Sequence, residues 1–168
     1  MIIAGMDTAS NRCHIVAKQV CVGEQPELVQ LTTITDGFAE LKSPNPDIRR
    51  IKLYEATQEA IRGLCGYGDD VHVFCEEPIS LRNGKTNRLL ALAAGAIWAA
   101  HLDFDVYWHW VNISTWKQKI VGKGSASKEA VQVWSINNGG KAEWDEDTHD
   151  AHAICDYGIL AMAGIDSN

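Results

Sequence analysis

No apolar run in these 168 residues approaches the roughly 20 needed to cross a bilayer as a helix. An integral helical membrane protein is excluded on that ground. The stretch Met1-Ile2-Ile3-Ala4-Gly5-Met6-Asp7 reaches a carboxylate before the apolar core of a signal peptide could form, so a soluble, cytoplasmic protein is expected. The five cysteines (Cys13, Cys21, Cys65, Cys75 and Cys155) include no CxxC pair, and an odd number cannot close completely into intrachain disulfides. Buried free thiols in a reducing compartment follow. Internal repeats, low-complexity tracts and linkers are also missing. With 46% hydrophobic residues, the chain holds enough apolar material for one core and too little for two, and residues 1–168 read as a single domain.

Positive charge is in short supply. Lys and Arg number 15 against 22 Asp and Glu, a net charge of -7, which argues against a polyanionic partner. The distribution qualifies that objection. Arg82 to Lys128 holds seven Lys or Arg against Asp103 and Asp105, a surplus of five, whereas Glu143 to Asp156 holds six carboxylates and no Lys or Arg. A basic face beside an acidic pocket is one reading of this pattern, and ordinary solvated surface charge is the other.

What is present reads as an α/β arrangement with a mixed sheet. An apolar start ending at Asp7, a Cys13–Ala17 run and a Leu28–Ile34 run predict a small antiparallel meander. Ile48, Ile51, Tyr54, Ile61 and Leu64 recur at helical spacing until Gly66 and Gly68, after which Val71–Cys75 reads as a buried strand running into Glu76. Asn87–His101 is an Ala- and Leu-rich helix whose small residues Ala91, Ala94, Gly95 and Ala99 permit close approach of another helix. Phe104–Trp110 alternates toward a strand, short helices begin at Ser114 and Ser127, and a last helix spans Asp145 to Ala163.

Four carboxylates stand where chemistry is expected. Asp7 and Glu76 end two strands, and Asp147 and Asp150, spaced i, i+3, project from one face of the last helix. Hard oxygen ligands converging in this way suit Mg²⁺ or Mn²⁺, which activate water and neutralise a phosphodiester. Two ions about 3.5 to 4 Å apart would serve both the attacking and the leaving oxygen. Taken singly, each carboxylate is equally a helix cap or an exposed strand end. Between them, Gly122 and Gly124 let the backbone come near a phosphate, and Lys117, Lys119, Lys123 and Lys128 neutralise it.

The block from Lys117 through Gln132 resembles the RuvC family of Holliday-junction resolvases, meeting its pattern K-Q-x-x-V-G-x-G-S-A-x-K-x-x-V-Q. Asp7 sits as that family's leading Asp does, Phe74-Cys75-Glu76 is similar to its apolar strand ending in Glu, and Asp147-Thr148-His149-Asp150-Ala151-His152-Ala153-Ile154 resembles its final D-x-x-D-A-x-A-I. Cys13 to Gly68 matches in layout alone. The resemblance implies an RNase H-like fold with a five-stranded mixed sheet, the first strand central and beside the strand ending in Glu76. It implies Asp7, Glu76, Asp147 and Asp150 as the catalytic metal ligands, and Lys117 and Lys128 facing the DNA backbone. It also implies a homodimer through the Asn87–His101 helix, whose two active sites address two strands of branched DNA, and hydrolysis leaving 5′-phosphate and 3′-hydroxyl ends. Lys123 joins the DNA-binding set from its place in the loop.

Two departures bear on selectivity. Ile79 stands where cellular relatives carry an aromatic against the junction core, and can wedge but not stack. Net acidity and brevity resemble phage-encoded versions, which would place the protein in a host cytoplasm. A non-catalytic junction-binding protein and an RNase H acting on RNA:DNA hybrids are the competing readings. His149, His152 and Cys155 step along one helix, yet lie beside hard carboxylates and lack a second ligand pair for zinc. His149 is instead a candidate outer-sphere residue or proton carrier. Gly84-Lys85-Thr86 has the tail of a phosphate-binding Walker motif, but Ile79 stands at the required earlier glycine. The tryptophans read mainly as core, with Trp108, Trp110 or Trp116 as candidates to touch bases.

Overall fold

A computed structural model of the chain describes residues 1–9, 12–21, 23–35, 45–68, 70–78 and 84–165. Its frame is a five-stranded sheet of β1 (Ile2–Thr8), β2 (Arg12–Gln19), β3 (Glu27–Thr35), β4 (Val71–Glu76) and β5 (Tyr107–Val111) in the order β3-β2-β1-β4-β5. The first three strands form the antiparallel meander expected from the sequence, while β4 and β5 join parallel to β1. The sheet is therefore mixed, with β1 at its centre.

Five helices occur among the described residues: α1 (Pro46–Cys65), α2 (Gly84–Ala99), α3 (Ile113–Ile120), α4 (Lys128–Asn137) and α5 (Glu146–Ile165). Their starts are chemically marked. Asn45 Oδ1 accepts from Asp47 N at 2.9 Å ahead of α1, Asn112 Oδ1 accepts from Ser114 N at 2.9 Å ahead of α3, and Asp145 Oδ1 accepts from Thr148 N at 2.8 Å ahead of α5. Strand alternation begins later in β5 than the Phe104–Trp110 pattern predicts. Phe104 N donates to His101 O and Val106 N to Phe104 O, so the first alternating residues lie in a turn whose apolar side chains fold back on the core.

Alternation assigns the two sheet faces. Ile2, Ala4, Met6, Val71, Val73 and Cys75 meet α1 and α2 through Leu53, Ile61, Leu64 and Ile97. Ile3, Val16 and Phe74 meet α3, α4 and α5 through Trp116, Val131, Ala151, Ile154 and Cys155. On this second face Gly5 permits the closest approach in the fold. A Cβ there would fall inside contact distance of Ala151 O and Cys155 N, and 2.9 Å from Cys155 Cα. The backbone of α5 thus lies directly on the central strand. Gly158, one turn further on, faces Phe74 and Ile3 just as tightly, with its would-be Cβ 2.5 Å from Phe74 Cδ2. All five cysteines are free thiols; Cys13, Cys75 and Cys155 are buried as expected, whereas Cys65 is half-buried and Cys21 is exposed. No helix among the described residues is long and apolar enough to cross a membrane.

Candidate active site

The face that receives α5 also carries the acidic residues. Asp7 follows Ile3 and Gly5 in alternation, Glu76 follows Phe74, and the parallel pairing Met6↔Cys75 brings the two strand ends side by side. The seating of α5 on Gly5 sets its first turns over this corner. Ligand oxygens of Asp7, Asp147 and Asp150 lie within 4.8 Å of one another. Glu76 stands outside that trio, its Oε2 accepting from the fully buried Trp116 Nε1 at 3.0 Å.

Burial and mutual repulsion dominate the electrostatics. The Asp7 carboxyl is pushed well above its ordinary range, first by burial and then by the charges of Glu76, Asp150 and Asp147. Burial raises Asp150 to about 6 against the opposing fields of Lys128 and Lys117. Burial raises Glu76 too, with the Trp116 hydrogen bond acting in the other direction. Of the four, only Asp147 is held low: burial works against its ionisation, but the Lys128 hydrogen bond and charge, aided by Arg12, outweigh it. Lys128 Nζ lies 2.8 Å from Asp147 Oδ1, 3.5 Å from Glu146 Oε2 and 3.8 Å from Asp150 Oδ2. Arg12 Nη2 lies 2.6 Å from Asp147 Oδ2.

These residues fit a hard divalent cation. The donors are carboxylate oxygens, three of them from separate side chains at one point, and Asp150 Oδ1 is buried with no hydrogen-bond partner among the described residues. Such a set is unfavourable without a counter-charge.

The Gly122–Gly124 loop is held by the side chain of Gln118. Gly122 adopts φ +87°, which only glycine takes without strain. Gln118 clamps the turn with both ends of its amide, Nε2 donating to Gly122 O at 3.0 Å and Oε1 accepting from Gly124 N at 3.2 Å. A Cβ on Gly124 would lie 3.0 Å from Ser114 O, so loop and α3 touch backbone to backbone. Lys123 sits exposed at the loop. Lys117, expected to face the DNA backbone, is 8% exposed; its Nζ donates to Ala126 O at 3.2 Å and lies over the Trp116 ring. It braces the loop while its charge still reaches Glu76 and Asp150. Ile79 lies outside the described residues.

Several site residues escaped the sequence reading. His14 pairs with Asp7 across β1 and β2 and is buried, its Nδ1 3.1 Å from Thr148 Oγ1 and 3.2 Å from Thr33 Oγ1, its Nε2 3.9 Å from Asp147 Oδ2. It joins the meander to the first turn of α5. Arg12 is another, and the contact of Trp116 with Glu76 also went unread. Trp116 is core, as favoured, yet its indole N–H has a site partner, which removes it from the candidates to touch bases.

His149 does not serve the carboxylates. Its Nδ1 lies 2.9 Å from Ser135 Oγ, which also meets His152 Nδ1 at 2.8 Å, so both rings turn toward α4. A proton-carrier role is set aside on that orientation. Cys155 points elsewhere, donating to Ile3 O at 3.2 Å, and the three cannot share a zinc ion.

Trp116→Phe keeps most of the ring volume and removes the donor to Glu76. Cation affinity, measured by calorimetric titration with Mn²⁺, is expected to fall about 10- to 100-fold, the range for lost outer-sphere partners.

No protein-family model matches the sequence, and no curated protein matches it either. Solved structures do match. RuvC of T. thermophilus in complex with a Holliday junction substrate aligns with TM-score 0.75 and 20% identity, covering 97% of this chain and 96% of that one. A further Thermus thermophilus RuvC structure aligns with the same TM-score and identity over 98% and 97%. The yeast mitochondrial Holliday junction resolvase Ydc2 aligns with TM-score 0.61 and 11% identity, covering 98% of this chain and 80% of that one. Central β1, the mixed five-stranded sheet and its flanking helices thus make up the RNase H-like fold of RuvC, spanned almost from end to end.

Proposed function

We propose that this protein is a metal-dependent endodeoxyribonuclease that resolves Holliday junctions or related branched DNA. One observation carries the reading: carboxylates from β1 and α5 converge beside Glu76, within the fold of a resolvase, next to a lysine-bearing loop shaped for a phosphate. Mg²⁺ or Mn²⁺, as a pair of ions held by Asp7, Glu76, Asp147 and Asp150, would supply a nucleophilic water and neutralise the charge on the phosphodiester. The chain's own part is positional. Trp116 and His14 fix Glu76 and the α5 turn, while Gln118 holds Gly122 and Gly124, and Lys117 ties down Ala126 just beyond them, in the loop that would meet a phosphate. Lys123 and Lys128 grip the backbone, and Ile79 is the candidate wedge at the branch point. Net acidity fits a site whose specificity rests on branch shape and a local basic edge rather than on overall attraction.

Branched substrates with two cut sites call for two active sites, and α2 supplies the surface. Ala94 is buried within the chain, but Ala91 and Gly95 are exposed, and Leu92, Trp98 and Leu102 beside them are 44%, 40% and 59% exposed. A mid-helix glycine such as Gly95, whose would-be Cβ meets no described atom beyond its own stretch of helix within 4 Å, weakens the helix by about 0.5–1 kcal/mol relative to alanine. Close approach of a second α2 gives it a purpose. Gly95→Leu is expected to leave the monomer folded and abolish self-association, read as a halved mass by sedimentation equilibrium.

The deciding experiment incubates the wild type with labelled four-way junction, flap, linear duplex and RNA:DNA hybrid in Mg²⁺, Mn²⁺ or EDTA. Paired, metal-dependent nicks in the junction are expected. Equal cutting of flaps and junctions would broaden the reading to branched DNA in general. Cutting of the hybrid alone would replace it with an RNase H activity, which requires the ribose 2′-OH.

A further inference from the structure

The acidic pocket already contains a cation that belongs to the chain. Lys128 is the first residue of α4, where a positive charge opposes the helix dipole, so its position owes nothing to helix stability. It reaches across to α5, 2.8 Å from Asp147 Oδ1 and 3.8 Å from Asp150 Oδ2. Both are members of the trio fitted to a divalent ion. Arg12 approaches Asp147 from the opposite side and holds only Oδ2, at 2.6 Å. The two oxygens of Asp147 are thus divided between a lysine that bridges two ligand carboxylates and an arginine that touches one.

We infer that Lys128 and the catalytic ion are alternative occupants of this pocket. An ammonium and a divalent ion cannot share the same carboxylates at contact distance without strong repulsion. Lys128 has the means to leave: its side chain is 45% exposed on a flexible four-carbon stem, unlike buried Lys117. Displaced, it stands beside the pocket mouth with its charge free for a DNA phosphate. Arg12 stays on Asp147 Oδ2, away from the oxygens that Lys128 contacts. The inference rests on the metal-dependent reading above and adds an order of events: loading of the ion releases the lysine that grips DNA. A metal-free enzyme keeps that lysine folded onto itself.

The test is calorimetric titration of Mn²⁺ into wild type, Lys128→Met and Arg12→Gln, with Mg²⁺ titration of ¹³C-lysine-labelled protein followed at the Lys128 Cε resonance. Lys128→Met is expected to bind Mn²⁺ about tenfold more tightly than wild type, equivalent to about 1.4 kcal/mol. Arg12→Gln is expected to change affinity less than about threefold, since it leaves the contested oxygens alone. Mg²⁺ should move the Lys128 resonance toward that of solvated lysines. Equal Mn²⁺ affinities for wild type and Lys128→Met, with that resonance unmoved by saturating Mg²⁺, would overturn the exchange. Equal tightening in Lys128→Met and Arg12→Gln would overturn it too, because general loss of positive charge would then suffice. If neither wild type nor Lys128→Met bound Mn²⁺, the metal-dependent reading itself would fall, and the exchange with it.

Discussion

Asp7→Asn is expected to raise the stability of the metal-free protein while removing the cleavage activity proposed for it. Asp7 is surrounded by Glu76, Asp150 and Asp147 and deprived of water, and its carboxyl is pushed well above the ordinary range. A carboxyl whose pKa is raised by folding stabilises the fold while protonated, and that contribution is lost as pH rises through the folded-state value. At neutral pH the native wild type therefore carries an electrostatic penalty that the amide relieves. The gain should be about 1–2 kcal/mol, in line with other substitutions that relieve a functional site. For a chain of this size that corresponds to a melting temperature higher by about 2–8 °C. The gap should narrow as pH falls and close only below the ordinary carboxyl value of the unfolded chain, about 4, so thermal unfolding in EDTA between pH 8 and pH 4 separates this cause from a general packing gain. Junction cleavage should drop about a thousandfold or more, since a charge that stabilises the reaction is lost. Equal melting temperatures at pH 8 would sink the electrostatic account of the site even if activity were lost.

Gly5→Ala is expected to do the reverse and damage the fold. The methyl would enter the space held by Ala151 O and Cys155 N, both backbone atoms of a helix pinned along its length by Ile154, Gly158 and the sheet. A flexible side chain could move aside, whereas backbone cannot do so without lifting α5. Overpacking of this kind costs about 3 kcal/mol or more where neighbours are rigid, lowering the melting temperature by at least about 6–12 °C. Lifting α5 also carries Asp147 and Asp150 away from Asp7, so Mn²⁺ affinity in the folded fraction should fall together with stability. Chemical denaturation and calorimetry on the same sample check both. A stable Gly5→Ala protein with wild-type Mn²⁺ affinity would mean that α5 does not rest on β1 as described.

Much of this site was readable before any coordinates because its carriers follow local rules. Asp7 and Glu76 close apolar strand runs, and Asp147 and Asp150 are one helical turn apart, so each position announces its element and its end. The partners that tune them were not readable. Arg12 and Asp147 are 135 positions apart, and their meeting depends on β2 register and on the seating of α5, neither of which leaves a local trace. His14 sits in an ordinary alternating strand where nothing marks it as facing the acidic corner. Trp116 could be called core on composition, but its indole N–H finding Glu76 across 40 positions is a tertiary fact. His149 failed in the opposite sense: its spacing beside Asp150 implied a shared purpose, but successive helical residues diverge by about 100°, and its ring turned to Ser135.

The seating of α5 on β1 has a further consequence during synthesis. Asp147 follows Glu76 by 71 positions, so at about 5–20 residues per second the ribosome makes the second half of the site about 4–14 s after the first. Throughout that interval the nascent chain carries two strand carboxylates and no helix to complete them. The acidic site is thereby incomplete until α5 is made, and translation that stops short of α5 yields a fragment that lacks Asp147 and Asp150.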